Sequence, residues 1–168
     1  MKIAKSIFLL SLIVVMSSSV FSQKRIAVIP FNNMDGNVQY NEWCYNLQDS
    51  LMKELFKYDV DGKFFHIVSI DSVEAVLAEI NINPDNPQYE SDLWAAISKL
   101  NVQEVITGNF KIQAKRFLIN AYIYDVGTKL PKPEFQVRDI FKKEDKIYEA
   151  IPIIARTIVK AYVPQVEQ

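Results

Sequence analysis

Histidine and cysteine each occur once in 168 residues, and glycine occurs only four times. These scarcities exclude a good deal. One cysteine cannot form an internal disulfide. Any Ser–His–Asp or Cys–His site would need His66 as its base, and a zinc site would have one imidazole and one thiolate to draw on. There is no Gly-rich phosphate loop, Gly-x-Ser-x-Gly elbow, His-Glu-x-x-His or Cys-x-x-Cys. Asp59-Val-Asp61-Gly62 suggests a calcium loop, but Lys57 then stands at the first position and Val68 at the twelfth, where carboxylates are needed. It reads instead as a turn. A basic excess is also missing: the formal net charge is −1, which argues against a general nucleic-acid binder.

What is present begins with a secretory pattern. Lys2 and Lys5 form a short basic region, Ile7 to Met16 is apolar apart from Ser11, and Ser17 to Ser22 supplies small residues for cleavage. Residues 1–22 are therefore expected to be a signal peptide cut after Ser22, leaving residues 23–168 as one domain. No cysteine follows the apolar stretch, so no acyl anchor is expected, and nothing downstream has the length of a transmembrane helix. The expected location is the periplasm. About 146 residues suffice for one core, and 49% apolar content argues against disorder.

The periodicity predicts an α/β fold. Ile26 to Phe31 is a near-continuous apolar run, as in a strand covered on both faces, and Pro30 ends it. Asn32 to Asn37 is rich in turn residues. Tyr40, Cys44, Leu47, Leu51, Leu55 and Tyr58 repeat at helical spacing, and Cys44 on that stripe reads as a small buried hydrophobe. Phe65 to Ile70 is a second strand, followed by a helix with Asp71 as N-cap and Glu74 completing a capping box. Asn83 to Pro87 reads as a rigid loop, and Ser91 to Leu100 as a third helix. The period then becomes two. Ile106, Gly108, Phe110 and Ile112 share one face, Thr107, Asn109 and Lys111 the other, and Phe117, Ile119, Ala121 and Ile123 repeat the pattern after a turn. Phe135 to Ile140 adds a third member. Ile147, Ile151, Ile154 and Ile158 line a last helix that kinks or starts late at Pro152. The expected architecture is one mixed sheet of about five strands, with a parallel β-α-β part and an antiparallel hairpin, packed by about four helices. Gly108 on an apolar face marks a close approach by a helix or by an aromatic such as Trp94.

Two stretches are candidate contact sites. Asn32, Asn33, Met34 and Asp35 leave the carboxyl end of the first strand, where open α/β sheets place binding sites. A plain connector is the competing reading, and on either reading serine at 33–35 should leave folding intact. Lys111, Lys115, Arg116, Lys129 and Lys132 form a basic group around the hairpin tip and the following loop. Lys111, Lys115 and Arg116 are the candidates for an anionic partner, against the alternative of a solvated edge that discourages strand pairing.

Several segments resemble the TolB N-terminal-like superfamily of bacterial envelope proteins, with its FlgO-like, CsgG-like and LpoB-like relatives. Arg25-Ile-Ala-Val-Ile-Pro-Phe31 resembles the opening strand of that group. Leu47 to Leu55, Phe65 to Ser72, Leu100 to Phe110 and Tyr124 to Thr128 resemble later segments in the same order. Asn101 stands where a glycine is common, and Gly127-Thr128 reverses the usual Thr-Gly. The resemblance implies a non-catalytic domain that contacts an envelope protein or assembly, with no catalytic residues, metal or cofactor. The alternatives are an envelope enzyme using carboxylates on a glycan and a binder of anionic polymer.

Overall fold

A computed structural model describes residues 23–80 and 88–163. Residues 1–22, expected to be a signal peptide, and 83–87, expected to be a rigid loop, lie outside the described residues.

The described residues form six strands: β1 Lys24–Val28, β2 Asn32–Asn33, β3 Phe65–Ile67, β4 Glu104–Gln113, β5 Arg116–Asp125 and β6 Val137–Lys142. Four α-helices are seen among the described residues: α1 Glu42–Phe56, α2 Ile70–Leu77, α3 Tyr89–Lys99 and α4 Ile151–Ile158. The strands make one mixed sheet in the order β3-β1-β4-β5-β6. β1 runs parallel to both β3 and β4, and β4-β5-β6 is an antiparallel meander. This is the mixed α/β sheet expected from the periodicity.

β1 is apolar from Ile26 to Val28, where both its faces are covered. Ile26 and Val28 enter the larger core with Leu47, Leu51 and Leu55 of α1 and Ile151, Ile154 and Ile158 of α4. Ala27 enters a second core with Val73 and Leu77 of α2 and Ile97 of α3. α1 is locked to the sheet by the buried Gln48, whose Nε2 donates to the Val28 carbonyl at 2.8 Å.

The structure differs from the sequence expectation in several details. α1 starts at Glu42, after a 3-10 turn at Val38–Tyr40. α2 starts at Ile70 with Ser69 as N-cap, whose hydroxyl accepts from Ser72 N–H, so Asp71 stands inside the first turn. A carboxylate there still favours the positive helix end. α4 starts late: Ile151 precedes Pro152, and a proline in the first turn gives up no helical hydrogen bond. Asp59-Val-Asp-Gly is a turn whose buried Asp59 carboxylate accepts the N–H groups of Lys63, Phe64 and Phe65. Asn101 has φ +51°, a conformation that glycine adopts freely.

The ring against Gly108 is Phe31. Trp94 belongs to the other face of the sheet and packs on Tyr124 at 5.9 Å between centroids. A Cβ on Gly108 would lie 2.3 Å from Phe31 Cε1 and 2.2 Å from the Asn120 carbonyl oxygen. The second contact is backbone and cannot rotate away. Gly108→Ala is therefore expected to destabilise by about 1–3 kcal/mol through overpacking, and Gly108→Val by more. Thermal melts of the two variants check this, and unchanged melting temperatures would refute the packing.

Candidate functional site

The two candidate stretches meet at one end of the sheet. After β1, Ile29 N–H donates to the Ile106 carbonyl and Phe31 N–H to the Cys44 carbonyl, which steers the chain along β4. Asn32 and Asn33 then form a second short parallel pairing with Asn109 and Phe110. Met34 N–H donates to the Phe110 carbonyl at 2.9 Å. The Asp35 carboxylate accepts the Ile112 N–H next to the hairpin turn.

The four loop residues play different parts. Asn33 Nδ2 donates to the Asn37 carbonyl and to Asn41 Oδ1, both at 2.9 Å, and its Oδ1 accepts from Asp35 N–H. Asn33 and Asp35 thus hold the loop. Serine at 33–35 would unlatch it, contrary to the sequence expectation, because those side chains carry its hydrogen bonds. Asn32 is exposed, and Met34 is 58% exposed.

The basic group divides. Lys111, Lys115 and Arg116 are exposed at the hairpin tip. Lys132 lies at the other end of the ladder, where Glu104 pairs with Asp125. Ten residue pairs separate the ends, about 30 Å at strand rise. Sequence proximity to the hairpin hid this because β5 carries the chain back across the whole sheet.

The tip has a firm base. Phe117 packs against Tyr40, Trp43 and Phe110 with centroids 5.5–5.9 Å apart, and Trp43 continues to Tyr148 at 5.5 Å. Tyr148 is exposed and extends this aromatic row outward. Cys44 is half-buried, and burial raises its thiol pKa above the ordinary value. A thiol in that state is a weak nucleophile. His66 is exposed on β3.

At the opposite end lies a polar centre absent from the sequence expectations. Glu104 is fully buried and accepts from Lys24 Nζ and, at 2.7 Å, from Lys132 Nζ. Burial alone would raise its carboxyl pKa; the hydrogen bonds and charges of Lys132 and Lys24 outweigh that and lower it. Tyr162, on the last turn after α4, is buried beside it. Burial first, and the Glu104 carboxylate second, push its phenol well above the ordinary range. The cluster ties β1, β4, the 126–136 loop and the end of the last helix together. The signal that would have found it is parity, since Glu104 shares the face of Ile106, Gly108 and Phe110.

A shallow cavity of about 540 Å³ adjoins this cluster, lined by Asp125, Thr128, Lys132, Glu134 and Phe135 among others. Its Asp125 carboxylate is spent on Thr128, accepting from the N–H at 2.8 Å and the hydroxyl at 2.9 Å, and these bonds lower its pKa. Among the described residues no group of three or more His, Cys, Asp or Glu is placed to hold a metal ion. Among the same residues no helix is long and apolar enough to cross a membrane.

No family model matches the chain, and no curated protein matches it. Solved structures do. TolB from Acinetobacter baumannii matches 83% of this chain at 19% identity and a TM-score of 0.47, and the chain spans only 28% of that protein. The LpoB C-terminal domain from Salmonella enterica matches 78% of this chain and 90% of its own at 13% identity and a TM-score of 0.46. A PelC dodecamer from Paraburkholderia phytofirmans matches 81% of this chain at 9% identity and a TM-score of 0.41, over 88% of the PelC chain.

Two outcomes follow from this geometry. Glu104→Gln leaves two lysines without their carboxylate. Losing one partner of a buried pair costs roughly 3–5 kcal/mol, and the 43% and 26% side-chain exposure of Lys24 and Lys132 reduces the expected cost to about 2–3 kcal/mol. Because the folded carboxyl pKa is lowered, its contribution is complete above the unfolded value and fades as pH falls through the folded one. Melting temperatures between neutral and acidic pH should therefore converge for parent and variant at the acid end; a constant gap would contradict this. The hairpin turn supplies the second outcome. Ala114 and Lys115 have φ +50° and +59°, the type I′ pattern that favours Asn-Gly. Ala114→Asn with Lys115→Gly should stabilise the fold by about 1–2 kcal/mol, read from denaturant unfolding.

Proposed function

We propose that this chain is a non-catalytic, exported interaction domain of the cell envelope. Residues 1–22 direct export, residues 23–168 form the domain, and the domain serves envelope assembly, transport or regulation through contact with another envelope protein. The observation that carries the reading is the convergence at one end of the sheet. Asn32 and Met34 stand exposed on a backbone held to β4 by the Asn33 and Asp35 hydrogen bonds, and Lys111, Lys115 and Arg116 stand exposed further along the same β4–β5 hairpin. Preformed presentation of this kind lowers the ordering cost of binding. The adjoining Trp43 and Tyr148 supply residue types enriched in protein contacts. The oligomeric state and the particular partner are not part of the proposal.

A photo-reactive side chain at position 32 or 34 in the exported protein tests this. The expected result is one saturable cross-linked partner, competed by untagged protein. The double variant Asn32→Ala with Met34→Ala should lower capture at least about tenfold, the usual effect of removing central contact side chains. It should melt like the parent. Capture restricted to random abundant proteins, with no saturation, would refute the reading.

A further inference from the structure

Among the described residues β3 ends the sheet, and its outer side carries main-chain groups without partners. The Phe64 carbonyl accepts Lys24 N–H, and Val68 N–H donates to the Ile26 carbonyl. The alternation of a parallel ladder therefore turns both main-chain groups of His66 towards β1 as well. The groups of Phe65 and Ile67 face the other way. Phe65 N–H is taken by the Asp59 carboxylate. The Phe65 carbonyl and the N–H and carbonyl of Ile67 stay open.

A cavity of about 350 Å³ runs along this edge, and its lining comes from both faces of the sheet. On the α1 face it meets Met52 and Phe56, and Phe56 is 47% exposed. On the opposite face it meets Arg25 and His66, which stand in register on β1 and β3. Arg25 Nε donates to the Leu100 carbonyl at 3.4 Å, and no carboxylate pairs with the guanidinium among the described residues. A strand added to this edge would place successive side chains alternately on the two faces. Apolar side chains would meet Met52 and Phe56. Carboxylates would meet Arg25, whose fork accepts them as charge-assisted partners. A second copy pairing edge to edge would bring two Arg25 side chains to one cavity and no carboxylate to offset them.

We infer that β3 accepts an extended segment of a partner protein as an added strand, and that this segment alternates apolar and acidic residues. This is a contact surface apart from the Asn32–Met34 loop, because β3 borders β1 on the side away from β4. Fluorescently labelled, capped heptapeptides are titrated into the protein purified after export, with binding read from anisotropy. One peptide alternates glutamate and valine, the other lysine and valine. The glutamate peptide should bind at least about tenfold more tightly, the effect of one charge-assisted hydrogen bond. The formal net charge of −1 favours the opposite order, so this preference reports the local cation. Arg25→Glu should lose the glutamate peptide and gain the lysine one, a reversal that an unfolded variant would not give. Phe56→Ser should weaken glutamate-peptide binding several-fold. Asn32→Ala with Met34→Ala should bind it like the parent, which keeps this surface distinct from the loop. Equal binding of the two peptides, or preference for lysine, overturns the inference. So does parent-like binding of the glutamate peptide by Arg25→Glu or by Phe56→Ser. A dimer that Phe56→Ser dissolves, with no peptide bound by the parent, would also overturn it, in favour of a second copy on this edge.

Discussion

The ring of Phe31 lies where a side chain on Gly108 would be, and the candidate site depends on that contact. β1 pairs with β4 only as far as Val28 and Ile106. Beyond Pro30 the chain could leave the sheet. Instead Phe31 closes onto the bare backbone of β4, between Gly108 and α1, with its N–H held by the Cys44 carbonyl. This brings Asn32 and Asn33 into a second pairing with β4 and delivers Met34 and Asp35 to the hairpin tip. One missing Cβ thereby places a loop from the first strand next to cations that follow it by about 80 residues.

The two ends of the sheet use polar groups in opposite ways. At the tip, hydrogen bonds from Asn33 and Asp35 fix the backbone and leave charged and aliphatic side chains facing out. At the far end the charges face one another: a fully buried Glu104 joins Lys24 and Lys132, with Tyr162 packed beside it. Lys24 is the first residue of β1, so the start of that strand is pinned to the start of β4 and to the loop before β6. A buried carboxylate is tolerated there because two ammonium groups offset its desolvation. The same pairing makes that end sensitive to acid.

Much of this was readable in the sequence, where one physical rule dominated. The run Ile26 to Phe31 reads as a doubly covered strand because both neighbours of β1 bring helices with them. The alternation from Ile106 to Ile123 reads as a hairpin because one of its faces is core. Pro152 marks a helix start because only the first turn accepts it. What escaped is what depends on which distant groups meet. Gly108 signalled a close ring, but the sequence carries no information that chooses Phe31, just past β1, over Trp94 in α3, since both are large aromatics on elements that pack on the sheet. β2 is two residues long, too short to have a period. Lys132 was grouped with the tip because sequence distance ignores the return of β5. Glu104 carries no motif around it, and only its parity with Ile106 points inward.

Amide hydrogen exchange on the parent and on Gly108→Ala, under conditions where both remain folded, tests the central claim most directly. In the parent, the amides of Met34 and Ile112 should be protected, because one bonds the Phe110 carbonyl and the other the Asp35 carboxylate. In the variant those two amides should exchange much faster while Ile26 and Val28 keep their protection. Parent-like protection at Met34 and Ile112 in the variant would contradict the claim that the Phe31–Gly108 contact holds the loop against the hairpin.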